Sequence, residues 1–252
     1  KRSHGQRRNV SIKYKFGQRM AADVSGPHPE SYPDGYRYYL LVFDIASKIP
    51  FIRFMTNLKN VTMQLRSIFT EMNTLVPEVI LGKILFDEAS YFKSNTTKNA
   101  CAEHKVHPTY CIPHQHASNP HAETAIRTIN NKARTLLNGA NLPSKFWKHA
   151  VKETRRNQIR EPHDMLPRKM SPYDFIGQTC DIGQRRITFG AQGLMHIPKG
   201  QKKSGTFETS TSPVIVLGYN TAGSAFEVLD ARNGSIIHRR DIIMQPDTRS
   251  LD

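Results

Sequence analysis

Ile84-Leu85-Phe86-Asp87 is a short apolar run ending in a carboxylate, and thirty-five residues separate that acid from Glu123 in Asn119-Pro120-His121-Ala122-Glu123. The run reads as a buried strand, and Pro120 suits the first position of a helix. Asp87 is therefore expected at a strand end and Glu123 in a first helical turn. Upstream, Phe16 to Val24 reads as a strand punctuated by Gly26-Pro27, with Asp23 near its end. Carboxylates held in this way suit hard divalent cations. Two Mg²⁺ ions about 3.5–4 Å apart clamp the attacking and leaving oxygens of a phosphoryl transfer. Spacing alone fits solvated loop acids equally well, because the chain has 21 acidic residues to choose from.

The surrounding segments supply the context. Arg37 to Lys48 is aromatic and β-branched, and Phe51 to Met55 follows a short turn, so the two read as an antiparallel hairpin. Asp44, in the first of these segments, is a rival ligand by charge. Asn60 to Leu75 carries Val61, Leu65, Ile68, Phe69 and Met72 at helical spacing, with Asn60 as N-cap and Pro77 as the stop. Val79-Ile80-Leu81 reads as further buried strand leading to Asp87. Strands joined through such a helix are parallel, so a mixed α/β sheet is expected. A short helix over Thr97 to Val106 and a strand through Cys111 follow. Cys101, His104, His107 and Cys111 would make a zinc-like face on one helix, but Pro108 interrupts it.

From Pro120 to about Asn138 the apolar stripe is Ala122, Ile126, Ile129, Ala133, Leu136 and Leu137, and Gly139 is the expected C-cap. Glu123, Arg127, Asn130 and Arg134 recur on another face. One acid followed by two arginines on a single face suits a metal at one end and a nucleic-acid backbone beyond it; a solvated charged face fits the arginines too. The helix after Leu142-Pro143 holds Trp147 as a core anchor and Lys152, Arg155, Arg156 and Arg160 as a basic face. Pro162, Pro167 and Pro172 mark a linker. Beyond it, short alternating strands and the Arg232-Asn233-Gly234 turn predict a small all-β, barrel-like C-terminal domain. Arg185 and Arg186 there are candidates for DNA contact, though solubility explains them equally.

Charge supports a polyanionic partner: 36 Lys and Arg against 21 acids give +15 and a pI near 9.9. Residues 1–19 hold seven basic side chains and no acid, a counterion-releasing arm. No apolar run is long enough to cross a membrane, so no membrane partner is expected. The beginning of the chain, without Met or an apolar leader, looks cut from something longer. Three cysteines without a CxxC pair argue for a reducing compartment.

Taken in order, these segments resemble the integrase region of copia-class (Ty-type) LTR retrotransposon Gag-Pol polyproteins. Asp23 with Gly26-Pro27 resembles that family's strand ending in Asp, an apolar residue, x-Gly-Pro. Arg37 to Lys48 resembles Tyr-x-Leu-x-x-x-Asp-x-x-Ser-Arg/Lys. Asn119 to Asn130 resembles Asn-Gly-x-x-Glu-Arg/x-x-x-Arg-x-Leu/Ile, and the thirty-five-residue interval matches the Asp, Asp, 35, Glu signature. Leu142 to Ala150 resembles Leu-Pro-x-x-x-Trp-x-x-Ala, Ser171-Pro172-Tyr173-Asp174 resembles Thr-Pro-Tyr-Glu, and Val214 to Tyr219 resembles the Phe-Leu-Gly-Tyr strand.

The resemblance covers roughly residues 14–245. It implies an RNase H-like mixed five-stranded sheet with flanking helices, and five sections of chain. These are a basic arm at 1–13, the tail of an absent zinc module; the catalytic core at 14–160; a linker at 161–182; the C-terminal β domain at 183–246; and a tail at 247–252. The implied activity is a DDE polynucleotidyl transferase and endonuclease. It trims element DNA ends and joins their 3′-hydroxyls to target DNA. Asp23, Asp87 and Glu123 would be the catalytic residues and hold two Mg²⁺ ions, with Mn²⁺ as substitute. Arg127, Asn130, Arg134, Asn119, Lys152, Arg155, Arg156, Arg185 and Arg186 would contact DNA. His116, in the loop before the catalytic helix, would touch DNA phosphates or stand solvated. Implied partners are element-end and target DNA, further copies of the chain as a dimer or tetramer, and a host chromatin or transcription-machinery tether. Action would be nuclear, after a cytoplasmic stage in a virus-like particle. Two departures, Asp87-Glu88-Ala89 for Asp-Asn-Gly and Asn119-Pro120 for Asn-Gly, point to the alternatives: a weakened DNA-binding or targeting module, or an RNase H-like nuclease without integration.

Overall fold

The structure is a computed structural model that describes residues 14–111, 119–178, 188–197, 211–220 and 223–244. The basic arm at 1–13, His116, Cys180, Arg185, Arg186 and the tail at 247–252 lie outside the described residues. In chain order the strands and helices are β1 (Arg19–Ser25), β2 (Tyr38–Asp44), β3 (Pro50–Met55), α1 (Val61–Leu75), β4 (Lys83–Phe86), α2 (Ser90–Lys93), α3 (Asn95–Glu103) and β5 (His107–Tyr110). They continue with α4 (Pro120–Gly139), α5 (Trp147–Arg160), α6 (Pro172–Phe175), β6 (Gln192–His196), β7 (Thr211–Tyr219), β8 (Phe226–Asp230), β9 (Ile236–Arg239) and β10 (Ile242–Met244). The elements form two compact units that are not continuous in sequence: 1–30 with 35–129 and 155–180, and 31–34 with 130–154 and 181–252.

The first unit is built on a sheet of order β3-β2-β1-β4-β5. The hairpin partners β1, β2 and β3 are antiparallel, and β1, β4 and β5 are parallel, as α1 and α3 must cross over to return the chain. Met20, Leu40, Val42, Phe51, Leu65, Phe69, Ile84, Phe86 and Phe92 fill its core. Asp44 is fully buried and accepts from the Gly17 and Ser47 N–H groups and the Ser47 hydroxyl, at 2.9, 2.7 and 2.7 Å. These bonds fix the turn into β3.

Several local expectations change. Val79-Ile80-Leu81 is not strand: Ile80 is 81% exposed. The backbone there crosses the start of β1 so closely that a Cβ on Gly82 would meet the Gln18 carbonyl oxygen at 2.4 Å. Asn60 makes no side-chain cap, whereas Asn57 Oδ1 caps a 3-10 turn that leads into α1. Gly139 is the last helical residue, and the left-handed conformation after it falls on Asn141, at φ 51°. Cys101 lies in α3 and His107 in β5, on two separate elements.

The second unit carries an antiparallel sheet of order β10-β6-β7-β8-β9, around Met195, Val214, Val216 and Val228. Its outer strands β9 and β10 are not paired with one another among the described residues, so the expected barrel is an open sheet there. Among the described residues no helix is long and apolar enough to cross a membrane.

Candidate active site

The parallel pairing of β1 with β4 runs through Arg19↔Lys83, Met20↔Ile84 and Ala21↔Leu85 and then stops. Asp23 and Asp87 each lie two residues past that last pair, so they occupy equivalent positions where neighbouring strands part. Alternation puts both side chains on one face. Glu123 is exposed in the first turn of α4, and its N–H bonds the Asn119 carbonyl at 3.1 Å.

The electrostatics join the three acids. Burial lifts the Asp23 pKa from 3.8 to about 6; the Val24 N–H, bonded to Oδ1 at 2.7 Å, opposes the rise, while the charges of Asp87 and Glu123 add to it. Asp87 is raised by burial and by Glu88, against the Ala89 N–H on its Oδ1 at 3.2 Å. Two phenols border the site. Burial and the Asp23 charge push Tyr39 up, against a bond from Ser25; burial, Asp87 and Asp23 push Tyr91 up. Sequence reading missed both tyrosines. The signals were the pairing of Tyr39 with Ser25 across β1–β2 and the four-residue step from Asp87 to Tyr91.

The charges of Asp87 and Glu123 both reach Asp23, none of the three is ion-paired among the described residues, and carboxylate oxygens are the hard donors a divalent cation takes. As they stand, the described residues contain no group of three or more His, Cys, Asp or Glu side chains drawn together closely enough to hold one. Drawing the acids inward would require a cation to cancel their repulsion.

A stability prediction follows from Asp23. Between its ordinary value of 3.8 and about 6 the folded chain keeps a proton there that the unfolded chain has lost. The stabilising effect is present below that window, is lost as pH rises through it, and costs about 2–3 kcal/mol above it. Asp23→Asn should therefore make the metal-free chain more resistant to urea at pH 7, with the advantage shrinking toward pH 4. Equal resistance at pH 7 would contradict the buried, repelled carboxylate.

The DNA-contact candidates divide. Arg127 and Arg134 are exposed on α4, and among the described residues each has a long bond to its own helix, to Thr124 Oγ1 at 3.4 Å and to Asn131 Oδ1 at 3.3 Å. Asn130 and Arg156 are half-buried. Lys152 instead pairs with Glu227 at 2.9 Å; burial would raise Glu227, but His149 and Lys152 hold it down to about 2. Arg155 binds the Pro50 carbonyl at 2.8 Å and Glu71 at 2.9 Å. Asn119 is 2% exposed and donates to the Ala22 carbonyl. These three are held within their own units by partners 97, 75 and 84 residues away in sequence for Asn119, Lys152 and Arg155.

No family model matches the chain. It is 23% identical over 227 residues, 89% of its length, to the retrovirus-related Pol polyprotein from transposon TNT 1-94 of Nicotiana tabacum. The chain spans 17% of that polyprotein. A chain in the simian T-cell lymphotropic virus intasome, solved in complex with PP2A regulatory subunit B56 gamma, matches with TM-score 0.50 at 12% identity. That match covers 92% of this chain and 80% of the other, which establishes the shared fold. The catalytic core domain of BIV integrase matches with TM-score 0.46 at 12% identity, over 64% of this chain and 93% of that one.

Proposed function

We propose that this chain, similar along most of its length to a retrotransposon Pol polyprotein and built on an integrase-type fold, is a metal-dependent DNA strand transferase. The 3′-oxygen of an element end forms a new bond to a target phosphorus, the old bond from that phosphorus to the target 3′-oxygen breaks, and the departing oxygen takes up a proton. Trimming of element ends is the same displacement with water as nucleophile. The observation that carries the reading is the placement of Asp23 and Asp87 at matched positions past the last β1–β4 pair, with the charges of Asp87 and Glu123 both acting on Asp23.

Asp23, Asp87 and Glu123 would hold two Mg²⁺ ions, or Mn²⁺ in their place. Bound there, the pair supplies activation of the nucleophile and stabilisation of the leaving oxygen. The protein's part is to hold its donors ready. The Val24 and Ala89 N–H groups each fix one oxygen of Asp23 and Asp87, and the other oxygen of each has no protein partner among the described residues. Tyr39 and Tyr91, their pKa values raised, stay protonated and add no charge.

Arg127 and Arg134 provide exposed positive charge for phosphates, in a chain carrying +15. Each is expected to contribute about one unit to the slope of log affinity against log salt. In a filter-binding series, Arg127→Ala should lower the slope by that amount and weaken all sequences alike; an unchanged slope would remove Arg127 from the interface. Assembly of several copies on DNA, a host tether, and action in the nucleus after a cytoplasmic particle stage complete the reading.

The second reading is a DNA-binding or targeting module that has lost strand transfer. It is favoured by Glu88-Ala89 and Pro120 in place of the family's residues. Labelled element-end DNA incubated with plasmid and Mg²⁺ or Mn²⁺ separates the two. Joined products that vanish in Glu123→Gln support the transferase. Salt-sensitive DNA binding by a folded chain, with no joined products, supports the module.

A further inference from the structure

Immediately before β1 the Gln18 carbonyl accepts from Lys83 N–H on the β4 side at 3.0 Å, and at its first residue the Arg19 carbonyl accepts from Ile45 N–H on the opposite side at 3.0 Å. Alternation along the strand therefore turns the Ala22 carbonyl toward β4. By the same two-residue step from Lys83, the donor that would continue the ladder to Ala22 is the backbone N–H of Asp87. The ladder ends before that bond. The donor present is the side-chain Nδ2 of Asn119, at 2.9 Å.

We infer that Asn119 is a positioning residue, a wedge that holds the strands bearing Asp23 and Asp87 apart and ties the first turn of α4 to them. Its side chain bonds the residue before Asp23, and its own carbonyl accepts the Glu123 N–H at 3.1 Å. One residue thus touches the backbone at or beside two of the three acids and stands in the place of a bond from the third. The wedge is 2% exposed, and its Oδ1 has no hydrogen-bond partner among the described residues. A contact serving packing alone would be better made without a buried, unmet acceptor.

The assignment rests on the proposed metal site, and the test separates the two. Asn119→Ala and the similarly sized Asn119→Leu remove the donor. Thr62→Val, which breaks the 2.8 Å hydroxyl link from α1 to Thr97, controls for general loosening of the same unit. In metal-free hydrogen exchange, both Asn119 variants should speed exchange at residues 121–124 by tenfold or more over wild type, and Thr62→Val should not. Calorimetric Mn²⁺ affinity should fall roughly 10–100-fold in the Asn119 variants and hold in Thr62→Val, the loss typical when a partner behind metal ligands is removed. Exchange at 121–124 no faster than in Thr62→Val, or unaltered Mn²⁺ affinity, overturns the wedge. If the wild type binds no Mn²⁺, the metal site fails, and the exchange comparison alone decides the wedge.

Discussion

Asp87→Asn should abolish joined products while leaving the chain folded. The carboxamide keeps the shape and the Ala89 contact but removes the charge that a divalent cation requires. Metal polarisation contributes several kcal/mol to such a transition state, so a loss of roughly a thousandfold or more is expected. DNA affinity measured without metal should hold or rise slightly, because an acid near the phosphates has been neutralised. A gel assay that resolves single joined products measures the loss. Retention of a tenth of the wild-type rate would mean that Asp87 is not a ligand.

The largest stability effect is expected one residue earlier. Phe86 is fully buried, its ring stacked on Phe92 at 4.5 Å and tilted against Tyr110 at 6.1 Å. Truncation to Ala leaves a ring-sized cavity under the strand end that carries Asp87, and costs about 3–5 kcal/mol. That is a large part of the 5–15 kcal/mol typical of a domain. Urea unfolding should show the midpoint fall with little change in slope. Ile80→Ala, at a site 81% exposed, should shift stability by no more than about 0.5 kcal/mol. Equal effects at the two positions would mean that the core is not where the structure puts it.

The frame of the site was legible because it rests on periodicity and punctuation. An apolar run meeting an acid, a proline opening a helix and a glycine-proline turn are local signals, and β4, α4 and β1 obey them. The strand assigned to Val79-Ile80-Leu81 failed since an apolar run cannot reveal that Gly82 must pass within a carbonyl's reach of Gln18. The partners of the α5 charges were hidden for a related reason. Lys152 and Arg155 are countable as positive charges, but Glu227 and Glu71, which take those charges up, are 75 and 84 residues away in sequence. Asn119 reads as a polar loop residue until β1 is seen to leave the Ala22 carbonyl without its strand partner. Parallel pairing is nonlocal, and the place where it ends has no signature in either strand alone.

The measurement that bears most directly on the central claim is the electron paramagnetic resonance signal of free Mn²⁺ titrated with the chain at neutral pH, beside Glu123→Gln and Asp23→Asn. The three carboxylates acting as one site predict that the wild type quenches the signal saturably and that either substitution weakens the quenching at least tenfold. Quenching unaffected by both substitutions, or none with the wild type, would contradict a metal site built from Asp23, Asp87 and Glu123.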